Sequence, residues 1–466
     1  MEAILAIAVA LLAVTGVTIC ITKPKYALVP VLMLFPAEQI LMGYIPELRW
    51  KYSGTVNVVV GLIAVFGVGY KFFRRSNDFS GSKNPTTHFV AGLYAYILAA
   101  FLWTPARDSA IFFLAQNWPY FVLMFVIAPL LVSRLDDMAD INKAIIVVGG
   151  VLMALMLINP NARYINDRFV IDLGYQPGFG QIASNPLAIA DAGGTLAIIA
   201  ALYRPSGTRP FFLLVRLAGV ILGLTLALMS GSRGQLIVSL GVIALMAPFA
   251  TGSKNPLRVI GSLLVVGLAV AVLMYVFQNV LIGIAKDRWN EHGTAQGLGE
   301  RMAMATSLLE AYGSNPAYWP MGLGAAAFNA YFTYRPEGLE HWYPHNIVLE
   351  AVAEYGIPGI TLLAGVMFTS FRSSMRLVTL AGPDRSRRSS AVLLLGLLTF
   401  QFMMSLKQGS LLGFPPLFLH CLVIARVRAN EEAAYQQALL EYDRFEQDLE
   451  QEQRPQGEPE WAAEPA

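Results

Sequence analysis

The chain has 466 residues, 56% hydrophobic and 14% charged, with a formal net charge of +2 and a mean hydropathy of +0.54. Soluble domains carry roughly a quarter charged residues, so this composition excludes an ordinary soluble enzyme and points to a multi-pass membrane protein. No basic patch with interleaved aromatics occurs, which argues against nucleic-acid binding, and Cys20 and Cys421 both lie in apolar runs, as small core residues do.

A spanning helix needs about 20 mostly apolar residues. Segments of that kind run over 3–22, 26–45, 55–73, 88–103, 109–133, 142–158, 185–203, 211–230, 234–250, 258–281, 345–371, 389–406 and 410–427. The expected fold class is therefore all-α: a polytopic transmembrane helix bundle of about 12–13 spanning helices, with a large helical loop at 282–344. The first segment follows Met1-Glu2 and approaches bilayer length, so it reads as a retained helix and not as a cleaved signal peptide.

Lys and Arg in short loops mark the cytoplasmic side. They collect at 71–83, 203–210, 251–258 and most densely at 372–388, and counting helices puts all four loops on one side. The loops at 104–108, 159–185, 230–234, 282–344 and 405–410 then fall outside. Within 282–344, the stretch Arg301–Tyr312 puts Met304, Leu308 and Tyr312 on one face, an amphipathic helix lying on the bilayer or over the bundle. After Arg428 the chain turns acidic. Tyr435, Leu439, Tyr442, Phe445 and Leu449 recur at helical spacing, and 451–466 is expected to be disordered. The division is thus a membrane domain over 1–428 and a cytoplasmic tail over 429–466.

Few residues can carry chemistry. Arg233 lies in the turn Ser230-Gly-Ser-Arg-Gly234, on the side poor in basic residues. A helix-flanking arginine is one reading. Anion binding is the other, since guanidinium pairs with phosphate oxygens and the turn's amides add to the field. Ser232 and Gly234 share that turn. Arg301 opens the amphipathic helix, and a solvated loop arginine is its plainer reading. Arg288 is a weaker candidate because Asp287 beside it offers an ion-pair partner. His345 follows Pro344, where a helix is expected to start. A helix amino terminus keeps an imidazole neutral near pH 7, able to accept a proton from a hydroxyl; a backbone-bonded interfacial histidine is the alternative. His341 stands on the loop side of the same motif. Glu38 and Asp191 fall inside apolar segments, where helix-packing hydrogen bonds explain them simply. No phosphate-binding Gly-rich loop of the nucleotide type and no metal-ligand spacing among the five histidines occurs, so neither cofactor nor metal is expected.

The Ser230–Gly234 turn, Arg301, Gly322-Leu-Gly324 and the run His345-Asn-Ile-Val-Leu-Glu-Ala-Val-Ala-Glu-Tyr-Gly-Ile-Pro-Gly359 together resemble the O-antigen ligase and polymerase superfamily, across roughly residues 185–370. The resemblance implies a bacterial inner-membrane glycosyltransferase with its site in the periplasm. The donor would be a glycan on undecaprenyl pyrophosphate; the acceptor would be lipid A–core, a protein or another lipid-linked glycan. It implies that Arg233 and Arg301 act on the pyrophosphate and that His345 activates the acceptor. Ligase activity is the first expectation and polymerase activity the alternative. A transporter or lipid flippase is a distant third, because no paired halves with midplane charges are evident.

Overall fold

The computed structural model describes residues 14–49, 54–74, 80–176, 180–207, 210–252, 291–332, 342–413 and 415–453, with isolated positions between 257 and 275. It is a helical bundle. Among the described residues seven helices are long and apolar enough to cross a membrane, and an eighth span arises if the bent pair α1 (Pro24–Leu32) and α2 (Leu34–Tyr44), which meet at 63°, counts as one. In chain order the seven are α3 (Thr55–Phe73), α4 (Pro85–Leu102), α5 (Arg107–Leu131), α6 (Leu135–Leu157), α8 (Pro210–Met229), α9 (Arg233–Ala250) and α13 (Arg385–Gln408). The shorter apolar helix α7 (Pro186–Leu202) lies between α6 and α8 in sequence and is buried along most of its length. The chain is a multi-pass membrane protein with an all-α bundle.

The remaining expected segments differ in form. Residues 14–22 are helical, while the rest of 3–22 and most of 258–281 lie outside the described residues. The segment expected at 345–371 is two helices, α11 (Ile347–Ala353) and α12 (Gly356–Leu380). The last span does not stop at 427: α14 is one helix from Pro416 to Gln453, running through the boundary expected at 428. Beyond 453 the tail lies outside the described residues.

Local chemistry explains the irregular points. Pro119 lacks the amide that an α-helix needs, and just after it the helix widens to π geometry over Val122–Ile127. Where α7 crosses α8, a Cβ on Gly193 would lie 2.5 Å from the Gly223 carbonyl, and one on Gly223 would lie 2.4 Å from that of Gly193. Only glycine allows backbones that close, and such contact is how helices associate where lipid removes the hydrophobic drive.

The loop at 159–185 holds an element that helix-period reading misses. Strands β1 (Ala162–Ile165), β2 (Arg168–Gln176) and β3 (Gly180–Ala183) form an antiparallel sheet in the order β1-β2-β3. Asn166 and Asp167 join the first two with φ of 48° and 58°. Two positive φ values are what a tight two-residue hairpin requires.

The described parts of the four basic loops gather at one end of the bundle. There Arg387 bonds Asp136 and Glu431, each at 2.6 Å, Lys25 bonds Asp140 at 2.7 Å, and Arg376 bonds Glu432 at 2.8 and 2.9 Å. Arg388 reaches the Phe249 carbonyl, and Lys71 reaches Ser133. We call this the basic end. The opposite end carries the sheet, the amphipathic helix and the His345 motif, and is the loop end.

Candidate active site

The site is built around α11, a helix of only seven residues. Asn346 caps it, its side chain accepting from the amides of Val348 and Leu349, both at 3.0 Å. The helix therefore starts two residues after His345, not at it. His345 itself has φ of +55°. Histidine is among the non-glycine residues that tolerate this region, and such backbone is characteristic of functional sites.

Two carboxylates of the motif lock its surroundings. Glu354 is 1% exposed and accepts from the amides of Ala326 and Phe328, both at 2.9 Å. The adjoining Asn329 then pins Trp342 through two hydrogen bonds, 2.6 Å from the Trp342 amide and 2.7 Å to its carbonyl. Glu350, 2% exposed, accepts from the Leu411 amide at 2.9 Å and from the Ser410 hydroxyl at 3.2 Å. One short helix thus fixes the segment that leads to His345 and the segment that follows α13. The Gly322-Leu-Gly324 turn fits between them. With φ of +80° and +101°, its glycines sit where a Cβ would strike the Glu354 carbonyl at 2.3 Å and the Thr104 Cα at 2.5 Å.

The amphipathic helix expected at 301–312 is part of α10 (Glu291–Gly313). Met304 and Leu308 are buried against Leu323, Ala327, Phe328 and Ala353, so this face covers the bundle. Arg301 lies one turn before Met304 and acts electrostatically on His345. The His345 ring is flanked by Tyr343, with centroids 4.3 Å apart, and by Trp342 at 5.6 Å. Burial first, then the Arg301 charge, lower the imidazole pKa to about 4, so the ring is neutral at pH 7. The neutral state matches expectation, but its cause is burial and a nearby cation.

Arg233 is the first residue of α9. Gly231 before it has φ of +66°, and Ser232 is 2% exposed with a hydroxyl that no described group bonds. A Cβ on Gly234 would lie 2.8–2.9 Å from the Cδ, Cε and Nζ of Lys407, at the end of α13. Lys407 connects the parts: the charged groups acting on it are Arg301, Asp191, Arg168 and Arg233. The structure thus brings Arg233, Arg301, His345, Ser232 and Gly234 to the loop end. Arg288 and His341 lie outside the described residues.

Residues 218–364 match the family model described as O-antigen ligase. The match supports membership of the O-antigen ligase superfamily for the segment that holds the candidate site. The matched segment begins in α8, ends in α12, and contains Arg233, Arg301 and His345. No curated protein matches the chain. The superfamily's general activity is ligase-type glycan transfer from a lipid-linked donor to an acceptor.

Sequence reading missed four contributors. Lys407 is a cation on the side poor in basic residues, the signal that singled out Arg233, yet its place at the close of an apolar run hid it. Arg168 was legible only as a loop residue until β2 placed it within electrostatic reach of Lys407. Glu350 and Glu354 stand inside the family-like motif, and their spacing of four signals a shared helical face, but only the fold shows what they grip.

Proposed function

We propose that the protein transfers a glycan from undecaprenyl pyrophosphate to an acceptor hydroxyl, as an O-antigen ligase acting on lipid A–core or on a protein. The loop end faces the periplasm of the bacterial inner membrane, and α14 carries the tail into the cytoplasm. One observation carries this reading: three separate elements meet at the loop end, where the turn that bears Arg233 packs on Lys407 through Gly234 and the helix that bears Arg301 packs beside Trp342, which flanks His345.

The chemistry follows from these groups. The acceptor oxygen attacks the anomeric carbon while its proton passes to the neutral ring of His345. The bond from that carbon to the pyrophosphate breaks, and its electron pair leaves on the phosphate oxygen. Arg233 and Arg301 stabilise the developing charge, as preorganised cations do, and the arginines take this role without a metal. A dianionic donor beside Arg301 also offsets the charge that depresses His345, which raises the ring's basicity once substrate is bound. The part of the polyprenyl tail nearest the pyrophosphate has a place to lie. A cavity of about 350 Å³ opens among α1, α2, α5, α7 and α14, walled mainly by apolar side chains such as Val31, Leu34, Met124 and Leu419.

The test is incubation of the purified protein with an undecaprenyl-pyrophosphate glycan and candidate acceptors. Label on lipid A–core or protein, unaffected by EDTA, is the expected result. Longer lipid-linked product would assign a polymerase. Loss on chelation, restored by a divalent ion, would contradict the arginine-based account.

A further inference from the structure

Lys407 ends α13 at the loop end, half-buried, outside the segment that matches the family. Its ammonium donates to Gln235 Oε1. The Gln235 Nε2 donates to Gln408 Oε1 at 2.8 Å, and Gln408 Nε2 donates in turn to Asp191 Oδ2. Every link runs the same way, from cation through two aligned amides to carboxylate. Gln235 is 0% exposed and Gln408 8%, so water competes little for these bonds.

This is an unusual way to hold a half-buried lysine. A carboxylate in contact would neutralise the ammonium and occupy its donors. Among the described residues no carboxylate forms an ion pair with Lys407 Nζ, and its hydrogen-bond acceptor is a neutral amide oxygen. Aligned amides polarise one another and transmit orientation over two side chains without cancelling the charge. The chain therefore fixes where the ammonium sits and leaves its other donors for a ligand. The neighbourhood says what charge that ligand carries, because Arg168, Arg233 and Arg301 act on the same ammonium against one aspartate. Gly234 supplies the last condition. A side chain there would push the end of the lysine out of its present place, so the glycine lets Lys407 lie across the turn that presents Arg233.

We infer that Lys407 is a third cationic ligand of the lipid-linked pyrophosphate, held in position by Gln235, Gln408 and Asp191. The inference rests on the reading of the site given above. Charge-assisted hydrogen bonds are the strong class, and losing one to a phosphate weakens binding by roughly tenfold to a hundredfold.

The experiment measures affinity of the full-length purified protein for undecaprenyl pyrophosphate and for uncharged undecaprenol. It uses wild type, Lys407→Met, Lys407→Gln and Arg233→Ala, each with a melting temperature. Both lysine variants should lose about tenfold to a hundredfold in pyrophosphate affinity, with undecaprenol binding unchanged. Lys407→Gln keeps a polar contact to Gln235, so it guards against a folding defect in the methionine variant. Wild-type affinity in both lysine variants, with Arg233→Ala weakened, would overturn the role of Lys407 and leave the site intact. Equal loss for both lipids would assign Lys407 to packing and likewise overturn it. Failure of the wild type itself to prefer pyrophosphate over undecaprenol would overturn the whole reading of the site.

Discussion

Four basic residues at the two ends of the bundle are held in different ways. At the basic end, Lys25, Arg376 and Arg387 each meet carboxylates at 2.6–2.9 Å. At the loop end, Lys407 meets a neutral glutamine, and the nearest carboxylate in its network stands two amides away. Charge neutralised by contact ties helices together. Charge that is oriented but not neutralised is suited to an anion arriving from outside. The lesson is that a cation's partner tells more about its work than its mere presence in a loop.

The largest effect expected from breaking this contrast is at His345. His345→Ala should lower kcat by about 10²–10⁴, the usual worth of a positioned proton acceptor, while the amount of membrane-inserted protein stays near wild type. Transfer at the wild-type rate would remove the residue from the mechanism.

Next comes the scaffold. Glu354→Ala strands the buried amides of Ala326 and Phe328, at a cost of about 1–3 kcal/mol each. A clear drop in melting temperature in detergent should result, with a smaller drop for Glu354→Gln, which keeps one acceptor oxygen. An unchanged melting temperature for the alanine variant would refute the clamp.

The pH profile sharpens the comparison further. The base must be neutral, so activity falls as pH drops through its pKa. For kcat/KM, which reports the free enzyme, that acid limb should lie near about 4. For kcat it should lie at higher pH, because bound pyrophosphate offsets Arg301. Coincident limbs would show that the donor does not sit beside Arg301.

The smallest effect belongs to the basic end. Arg387→Ala breaks an exposed pair to Asp136, worth about 1 kcal/mol or less, and leaves the buried Glu431 without its cation, a loss that falls on stability at the basic end. Transfer should stay within about twofold of wild type, and a larger fall in kcat would mean that the ends are coupled.

Much of this was legible beforehand, for physical reasons. Apolar length and the clustering of Lys and Arg revealed the bundle and its two ends, because a bilayer constrains both. Arg233, Arg301 and His345 were visible as polar residues where few others occur. What stayed hidden depended on three-dimensional packing. The hairpin at 162–176 carries a two-residue signal, Asn166-Asp167, inside a loop that helix counting assigns only to a side of the membrane. Lys407 gains meaning only when Gly234 and Gln235 arrive from a different helix. The helix start at Ile347 turned on Asn346 acting as cap, which leaves His345 in left-handed backbone instead of in the first turn.

The central claim is that the loop end recognises a lipid-linked pyrophosphate and reacts with it. Its most direct test is a transfer assay with Arg233→Ala purified to the same folded level as wild type. The account predicts a loss of about 10²–10³ in turnover, with the acceptor still bound. Turnover equal to wild type would contradict it.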